Sequence, residues 1–559
     1  MSGEECNEDR LLIDEACLVL NTNEHYNATL YSLSSDCHLT NFCFLVEEAL
    51  SLETKKKSKF QCQSVQNVLK CREIVLVKIM WKLILYFSGI ICQFQPNLGE
   101  YGIYELTIDN DGCEFHTIVQ PSNSHIALAI IFGIILGLLF GFSLVRSLVN
   151  FARERWQKGQ AGVSNDEAPA RRRVLSIDTF RGISIMMMIF VNNGAGGYGF
   201  LEHATWNGLY VGDLIFPCFL WIMGFCIPIS LSSQLAKGNS RFSMCRGILK
   251  RSILLFLIGV SLNTVIDAPD LKEIRIFGVL QRFGVAYFVV SILYTLVSRR
   301  REEKYEVISF LKIADFISLL PQWFVMLVVV AAHCGITFYL PVPGCPTGYL
   351  GPGGRHADGK YFNCTGGAAG YIDRSILGAN HIFQSPTIVQ VYGSGPFDPE
   401  GILGCLTSIF QTFLGVQAGK ILKVHRGWTE RIVRWLVLAL LCGCLGAVLH
   451  FTNVIPVNKN LWSLSFVLLT TSFALTLLSV CYFLIDVKSM WGGGPFRIPG
   501  MNALVMYMGH QMCYKLFPFH WTYGAMETHT WRTIAALWDV AAWTIVGYIL
   551  HRKKIYITV

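Results

Sequence analysis

Long apolar runs separated by short segments containing Lys and Arg dominate the chain from residue 125 to its end. A run of about 20 apolar residues is long enough to cross a bilayer as a helix. The pattern predicts a polytopic α-helical membrane protein with about eleven spans. The predicted spans are 125–149, 181–194, 208–233, 247–265, 276–297, 316–340, 401–422, 430–451, 462–485, 499–515 and 531–550.

The composition agrees with a membrane location. Hydrophobic residues make up 52% of the 559 residues and charged residues 15%, whereas soluble domains carry about 25% charged residues. The net charge of +8 comes from Lys and Arg between the apolar runs, so it indicates membrane orientation rather than nucleic-acid binding. Loops rich in these residues alternate with loops poor in them, which predicts a lumenal N-terminus and a cytosolic C-terminus.

Residues 1–124 precede the first predicted span and are less apolar than the rest. Clustered cysteines and the glycosylation sequon at Asn27 are typical of an oxidising compartment, and short β-branched and aromatic runs favour strands. We predict a β-rich, disulfide-containing lumenal domain here; free thiols in a cytosolic domain are the alternative. Eight of the 19 cysteines lie in this region: Cys6, Cys17, Cys37, Cys43, Cys62, Cys71, Cys92 and Cys113.

Two features of this region are unusual for a lumenal domain. Met1–Arg10 is acidic and contains no apolar core of a signal peptide, so we expect the true start of the chain to be missing. Ile74–Cys92 is apolar but carries two lysines and is marginal in length for a span. It is interpreted as a strand pair, an interfacial helix or an artefact of the gene model, and it is not counted among the predicted spans.

The rest of the chain divides into three predicted parts. Residues 125–149 form the first span, residues 150–175 a basic cytosolic linker, and residues 176–559 a ten-helix membrane domain.

One long lumenal loop, residues 341–400, interrupts this membrane domain. It is so rich in Gly and Pro that no regular structure is expected, and its length is typical of functional or disordered loops. Its aromatic residues and the Asp373 and Arg374 pair favour an ordered lid over the membrane domain. The loop carries a second sequon at Asn363, and Cys345 and Cys364 are candidates for a disulfide.

The stretch 176–230 concentrates polar side chains at the ends of two apolar segments. Asn192 closes the first segment, His203 lies in the loop, and Asp213 begins the second segment. Polar groups at these depths are costly unless they are buried in protein, where they mark a substrate path. Because histidine titrates near neutral pH and often acts as a general base, His203 is a candidate catalytic residue. Its alternative role is to cap a helix.

Ten sequence blocks carry a resemblance to a known family. They are TFRGISI, HATWNGL, GDLIFPCFLWIMG, GVLQRFGVAYF, PVPGCPTGYLGPGG, NCTGGAAGYIDR, FDPEGILG, FLGVQAGKIL, IPVNKNLWSLS and PGMNALVMYMGH. With them, the chain resembles the heparan-alpha-glucosaminide N-acetyltransferase family of lysosomal transmembrane enzymes. The resemblance covers roughly residues 125–559 and is looser before them. The missing signal peptide and the Ile74–Cys92 segment depart from the family pattern.

The resemblance implies an activity and a location. The family transfers acetyl from cytosolic acetyl-CoA to the amino group of the terminal non-reducing α-glucosamine of heparan sulfate, and it works in the lysosomal membrane as a dimer without a metal. The family's active-site histidine maps to His203, and an active-site asparagine maps to Asn192. His203 is then either a general base for direct transfer, which we favour, or an acetyl acceptor in a relay.

Further site residues follow from their positions relative to this expected chemistry. Asn192 is a candidate donor to the thioester oxygen, and Asp213 a support for the site, although either could cap a helix. Candidates for binding CoA are Arg246, Lys250, Arg251 and Arg282, although the first three also fit the ordinary positive-inside role. Candidates for binding the sugar are Trp206, Asn207, Asn458 and Asn460.

Three other functions are consistent with parts of this pattern. A secondary transporter of a sugar or polyanion would explain interrupted helices with polar groups at midplane, but not the loop histidine. An O-acetyltransferase on another glycan would keep the chemistry and change the acceptor. A non-catalytic receptor would rest on the lumenal domain and would not need His203.

Overall fold

Long apolar runs fold as helices because a helix satisfies its backbone hydrogen bonds within one segment. The structure is a computed structural model that describes residues 174–557 except 267–269, 298–313, 358, 525 and 527. Before residue 174, it describes nine strands and parts of residues 115–149. Its helices are α1 His125–Ile135, α2 Leu175–Asn192, α3 Ile215–Ala236, α4 Arg241–Ile266, α5 Val279–Val297, α6 Ala314–Ile317, α7 Leu320–Tyr339, α8 Gly367–Ile376, α9 Thr387–Tyr392, α10 Ile402–Val424, α11 Trp428–Phe451, α12 Leu464–Tyr482, α13 Arg497–Met501, α14 Ala503–Met512 and α15 His529–Arg552.

The fold class, a polytopic helical membrane protein, is confirmed. Within the described residues, nine helices are long and apolar enough to cross a membrane: α2, α3 with the turn before it, α4, α5, α7, α10, α11, α12 with the turn after it, and α15. The first predicted span, 125–149, is described as a helix over His125–Ile135 and only partly beyond it.

Two expectations about the membrane domain are wrong. The single span predicted over 499–515 is two short helices, α13 and α14, separated at Asn502, whose φ of −121° and ψ of 35° are not helical. Asn502 instead hydrogen-bonds the C-terminal segment, where its side chain bonds the Ile555 carbonyl and the Ile557 N–H. The first helix of the hairpin begins at Leu175 rather than at residue 181, because the Asp486 carboxylate accepts hydrogen bonds from the N–H groups of Leu175 and Ser176.

The strands before the membrane domain form two sheets. They are β1 Glu15–Thr22, β2 Thr29–Ser34, β3 Leu50–Ser51, β4 Gln61–Val65, β5 Val68–Lys78, β6 Met80–Tyr86, β7 Ile90–Phe94, β8 Ile103–Asp109 and β9 Gly112–Val119. One sheet has the order β4-β5-β1-β8-β9, with β1 and β8 parallel, and the other has the order β3-β2-β6-β7. Ile74–Cys92 falls on β5, β6 and β7. The disulfides predicted within residues 1–124 and the sequon at Asn27 lie outside the residues whose side chains are described.

Helix α10 is the centre of the membrane domain, and nearly all of its residues are buried. It packs closely on α3 through glycines from both helices: a Cβ at Gly224 would overlap the Thr412 carbonyl, and one at Gly415 would overlap the Trp221 carbonyl. Small residues allow helix backbones to approach in this way within a membrane.

Loop 341–400 contains regular structure, contrary to expectation. Helices α8 and α9 form within it, and a disulfide joins Cys345 to Cys364. The Asp373 carboxylate of α8 accepts a hydrogen bond from the Ile402 N–H at the start of α10. Asn363, the second sequon, is exposed. The loop is therefore tied to the central helix and borders the site described next.

Candidate active site

Asp213 organises the loop that carries His203. Its side chain is fully buried, one oxygen accepts hydrogen bonds from the N–H groups of Ala204 and Tyr210, and the other lies 2.9 Å from His203 Nδ1. Because a carboxylate accepts hydrogen bonds, this contact places the ring proton on Nδ1 and leaves the lone pair on Nε2. Within the described residues, the polar contacts of this ring are to Nδ1 and not to Nε2, and the hydrogen bond of Nδ1 is the one to Asp213.

A lysine joins this pair from a distant part of the chain. Lys459 Nζ lies 2.9 Å from His203 Nδ1 and 3.4 Å from Asp213 Oδ1. The pKa of His203 is lowered below its ordinary value, first by burial and then by the Lys459 cation, against the opposing effect of Asp213. His203 therefore tends to stay neutral in acid, as a general base requires.

His203 opens onto a cavity of about 370 Å³, here named cavity B. Asn192 and Asn460 also line it, together with the ion pair between Arg275 and Glu400 at 2.7 Å. Burial alone would raise the pKa of Glu400, but nearby cations, Arg275 first, lower it below its ordinary value. Cavity B thus offers a base, amide groups and both signs of charge to a polar ligand.

A second cavity of about 450 Å³, named cavity A, lies next to cavity B. Its lining is largely apolar but includes Arg181 and Arg251. Met188, Val279 and Tyr507 border both cavities and form a shared wall between them. A group held in cavity A could therefore reach the neighbourhood of His203 by crossing this wall alone.

The comparisons with known proteins identify the family. The family model described as "Heparan-alpha-glucosaminide N-acetyltransferase, catalytic" matches residues 173–338. A human protein named heparan-alpha-glucosaminide N-acetyltransferase is 38% identical, with 98% of this chain and 88% of the human protein covered. The chain belongs to the heparan-alpha-glucosaminide N-acetyltransferase family. A mouse protein of the same name is 37% identical, with 83% of this chain and 77% of the mouse protein covered. Membership confirms the resemblance and makes the chain an acetyltransferase.

The structure brings together the three residues predicted for the chemistry of this acetyltransferase. His203 and Asp213 are in contact, and Asn192 lines the same cavity as His203. The Asn192 amide nitrogen lies 2.9 Å from His510 Nε2, while His510 Nδ1 lies 3.1 Å from the Met506 carbonyl. That carbonyl can only accept a hydrogen bond, so His510 Nε2 is an acceptor; the Asn192 amide approaches it at 2.9 Å and the Gln511 amide at 3.2 Å.

Of the four residues predicted to bind sugar, Asn460 alone lines cavity B. Trp206 is buried and donates a hydrogen bond to the Leu350 carbonyl, so it anchors the loop instead. Asn207 and Asn458 hydrogen-bond each other and line neither cavity.

The residues predicted to bind CoA also divide into one that lines a cavity and three that do not. Arg251 lines cavity A, and its guanidinium lies 4.5 Å from the centre of the Tyr287 ring. Arg246 and Lys250 are exposed on the same helix but line neither cavity. Arg282 is buried and lines neither cavity; it bonds the Pro399 and Gly401 carbonyls next to Glu400 of cavity B and stacks on Trp462.

Sequence reasoning missed two charged residues of cavity B, Arg275 and Glu400. Glu400 stands inside the block FDPEGILG, and a charged residue within a family motif was the signal that could have found it. Arg181 lines cavity A and lies 3.8 Å from Asp178. Lys459 stands inside the block IPVNKNLWSLS, in the segment of Asn458 and Asn460 for which sugar binding was predicted.

Proposed function

We propose that the chain transfers acetyl from acetyl-CoA, held in cavity A, to the amino group of a terminal glucosamine of heparan sulfate, held in cavity B. The observation that carries this proposal is the pair of adjoining cavities, with arginines lining one and the His203–Asp213 pair in the other. Arginine guanidinium groups suit the phosphates of CoA. The shared wall at Met188, Val279 and Tyr507 is the place where the acetyl group would pass.

The chemistry proposed for cavity B is direct acyl transfer. His203 Nε2 takes a proton from the acceptor ammonium, and the free amine nitrogen attacks the thioester carbonyl carbon. The new N–C bond forms as the C–S bond breaks; the excess proton on the newly acylated nitrogen passes to the departing sulfur, and CoA leaves as the thiol. Asp213 holds the ring in the required tautomer, as the carboxylate does in other His–Asp pairs. Only acetyl crosses the wall, so the charged part of CoA stays on its own side.

Asn192 would stabilise the oxygen that becomes negative during the attack. One N–H of its amide is occupied by His510, and the second is free to donate to the thioester oxygen. A fixed donor of this kind contributes about 3 kcal/mol to lowering the barrier. Asn460, Arg275 and Glu400 would hold the sugar through its hydroxyl, amino and acidic groups.

The setting of the reaction is part of the same proposal. The loops with His203 and residues 341–400 would face the lysosomal lumen, with the N-terminus lumenal as a β-rich, disulfide-containing domain and the C-terminus cytosolic. The alternation of Lys- and Arg-rich loops supports this orientation. Residues 150–175 would be the cytosolic linker, Asn27 and Asn363 would carry glycans, and the enzyme would act as a homodimer.

The decisive experiment measures transfer of labelled acetyl from acetyl-CoA to a terminal glucosamine acceptor at acidic pH. We expect activity in the native protein, a loss of about 100-fold or more in His203→Ala, and near-native activity in His520→Ala. His520 is a loop histidine that lines neither cavity. Transfer that survives in His203→Ala would overturn the proposed role of this residue, and no transfer by well-folded native protein would overturn the proposed function. An acceptor with only hydroxyl groups should not be acetylated.

A further inference from the structure

The segment that carries Lys459 is hydrogen-bonded to the histidine loop on both sides of the lysine. The Val457 carbonyl accepts from the Gly208 N–H at 2.9 Å, and the Asn458 amide donates to Asn207 Oδ1 at 3.0 Å. Beyond the lysine, the Asn460 amide donates to the Thr205 carbonyl at 2.9 Å. Three bonds therefore fix residues 457–460 against residues 205–208, about 250 positions earlier in the chain.

The same segment is also rigid by itself. Asn458 is fully buried; its N–H donates to Ser463 Oγ, and its side-chain oxygen accepts from the Leu461 N–H at 2.8 Å. Ser463 in turn caps helix α12 by accepting from the Phe466 N–H. Because Asn458 makes several hydrogen bonds and Asn460 makes one to the histidine loop, the backbone on both sides of Lys459 is held in place and directs this side chain toward His203. The Lys459 side chain is only 16% exposed.

The contacts around His203 Nδ1 form a triangle. Asp213 Oδ1 and Lys459 Nζ each lie 2.9 Å from it, and 3.4 Å from one another. A ring nitrogen makes one hydrogen bond at a time, so with its proton directed at Asp213 it has no lone pair for the lysine. Lys459 is then held by its attraction to Asp213. If the ring takes a second proton at Nε2, it becomes a cation beside another cation, which is unfavourable.

We propose that Lys459 is a positioning residue that keeps His203 in its neutral, base form in an acidic compartment and disfavours retention of the proton that His203 accepts. This inference rests on the proposed function, because it assigns a purpose to Lys459 only if His203 acts as a base. The charged groups that act on His203 are Asp213, Glu400 and Lys459. The two carboxylates favour the protonated ring, and burial together with Lys459 opposes them.

The need for such a residue follows from the reaction. At about pH 5, an ordinary histidine with a pKa of about 6.5 is mostly protonated and cannot accept a proton. A partner carboxylate, which sets the tautomer in this site, favours the protonated ring still further. Lys459 offsets the charge of Asp213 while leaving its hydrogen bond to Nδ1 in place, so one carboxylate can orient the ring without charging it.

The test compares the pH dependence of kcat/KM in native protein, Lys459→Met and Lys459→Arg. Methionine keeps the length of the side chain and removes the cation. We therefore expect the acid limb of the kcat/KM profile to move to higher pH in Lys459→Met. Its kcat/KM in acid should fall about tenfold for each pH unit of that movement and should recover toward neutral pH. Arginine should leave the limb in place. Titration of the acceptor amine is common to all three proteins and cancels in the comparison.

Three results would overturn the inference. A loss of activity in Lys459→Met that is equal at every pH would make the lysine structural, and a rise confined to the acceptor KM would make it an acceptor-binding residue. The titration of His203 followed by NMR gives a readout that does not require turnover, and its pKa should rise in Lys459→Met. An unchanged His203 titration in Lys459→Met would contradict the inference about Lys459, whether or not the native protein transfers acetyl. Failure of this inference can therefore be distinguished from failure of the proposed function.

Discussion

At the scale of single residues, the partners of one ring nitrogen decide the chemistry of His203. A loop histidine in water exchanges between tautomers, and either nitrogen can react. Here Asp213 occupies Nδ1 at 2.9 Å, and Asp213 itself is fixed by the N–H groups of Ala204 and Tyr210. The reactive atom is thus Nε2 because of three contacts within a short loop. Asn192 is oriented in the same manner by His510.

A substitution in the wall between the cavities tests the proposed route at this scale. Val279 borders both cavities, so Val279→Phe should obstruct the acetyl group. We expect transfer to fall at least about tenfold, since small displacements of reacting groups are costly, while acetyl-CoA still binds. Leu255→Phe, at a residue that lines cavity A alone, should weaken acetyl-CoA binding instead. Native transfer rates in Val279→Phe would contradict a passage at this wall.

At the scale of elements, close helix packing and interrupted helices shape the site. Helix α3, which begins just after Asp213, lies against α10 at a distance that only glycine allows. The helix breaks at Asn502, so α14 is oriented independently of α13. Tyr507 and Gln511 of this short helix line cavity B. A continuous helix over 499–515 would not allow that independent orientation.

The packing of α3 on α10 predicts a large effect from one methyl group. A Cβ at Gly415 would overlap the Trp221 carbonyl of α3, so Gly415→Ala should lower the free energy of unfolding by about 1–3 kcal/mol, as overpacking usually does. The matched control is Gly247→Ala in α4, where a Cβ meets no atom within 4 Å; alanine there should be neutral or stabilising by up to about 1 kcal/mol. Thermal unfolding in detergent measures both. Equal stability of the two variants would show that the helices can separate without cost.

At the scale of the whole molecule, the proposed orientation decides which substrate meets which cavity. Arg181 lies in the second turn of α2, and Arg251 lies in the first half of α4, whose opening turns also carry Arg241, Arg246 and Lys250. His203 and loop 341–400 lie at the opposite ends of the spans. A donor that stays in the cytosol and an acceptor that stays in the lumen would therefore approach from opposite sides, and the two cavities would meet between them.

Glycosylation of loop 341–400 tests this orientation. Asn363 is exposed in the structure and begins an Asn-Cys-Thr sequon. If the loop is lumenal, enzymatic removal of N-glycans should increase the gel mobility of the native protein, and Asn363→Gln should by itself produce one step of that increase. Gln keeps the amide and serves as its own structural control. A native protein whose Asn363 carries no glycan when expressed in a secretory pathway would argue for the reverse orientation.

The sequence by itself determined the class of the protein, the family and the approximate positions of the nine candidate membrane helices found within the described residues, and it indicated His203 as a candidate catalytic residue. These depend on the lengths of apolar runs and on short motifs, which are local properties of a chain. Asn192 and Asp213 were accessible for the same reason, since both flank the loop that carries His203.

Only the tertiary structure decided what depends on residues far apart in the chain. Lys459 meets His203 across 256 positions, and Asp486 caps α2 across 310. Asn207 and Asn458, two of the predicted sugar-binding residues, hydrogen-bond each other, and Arg282 bonds the Pro399 carbonyl. A polar residue in an apolar sequence must find a partner. Whether that partner is a substrate or another side chain is set by the packing of distant segments, which no local pattern records.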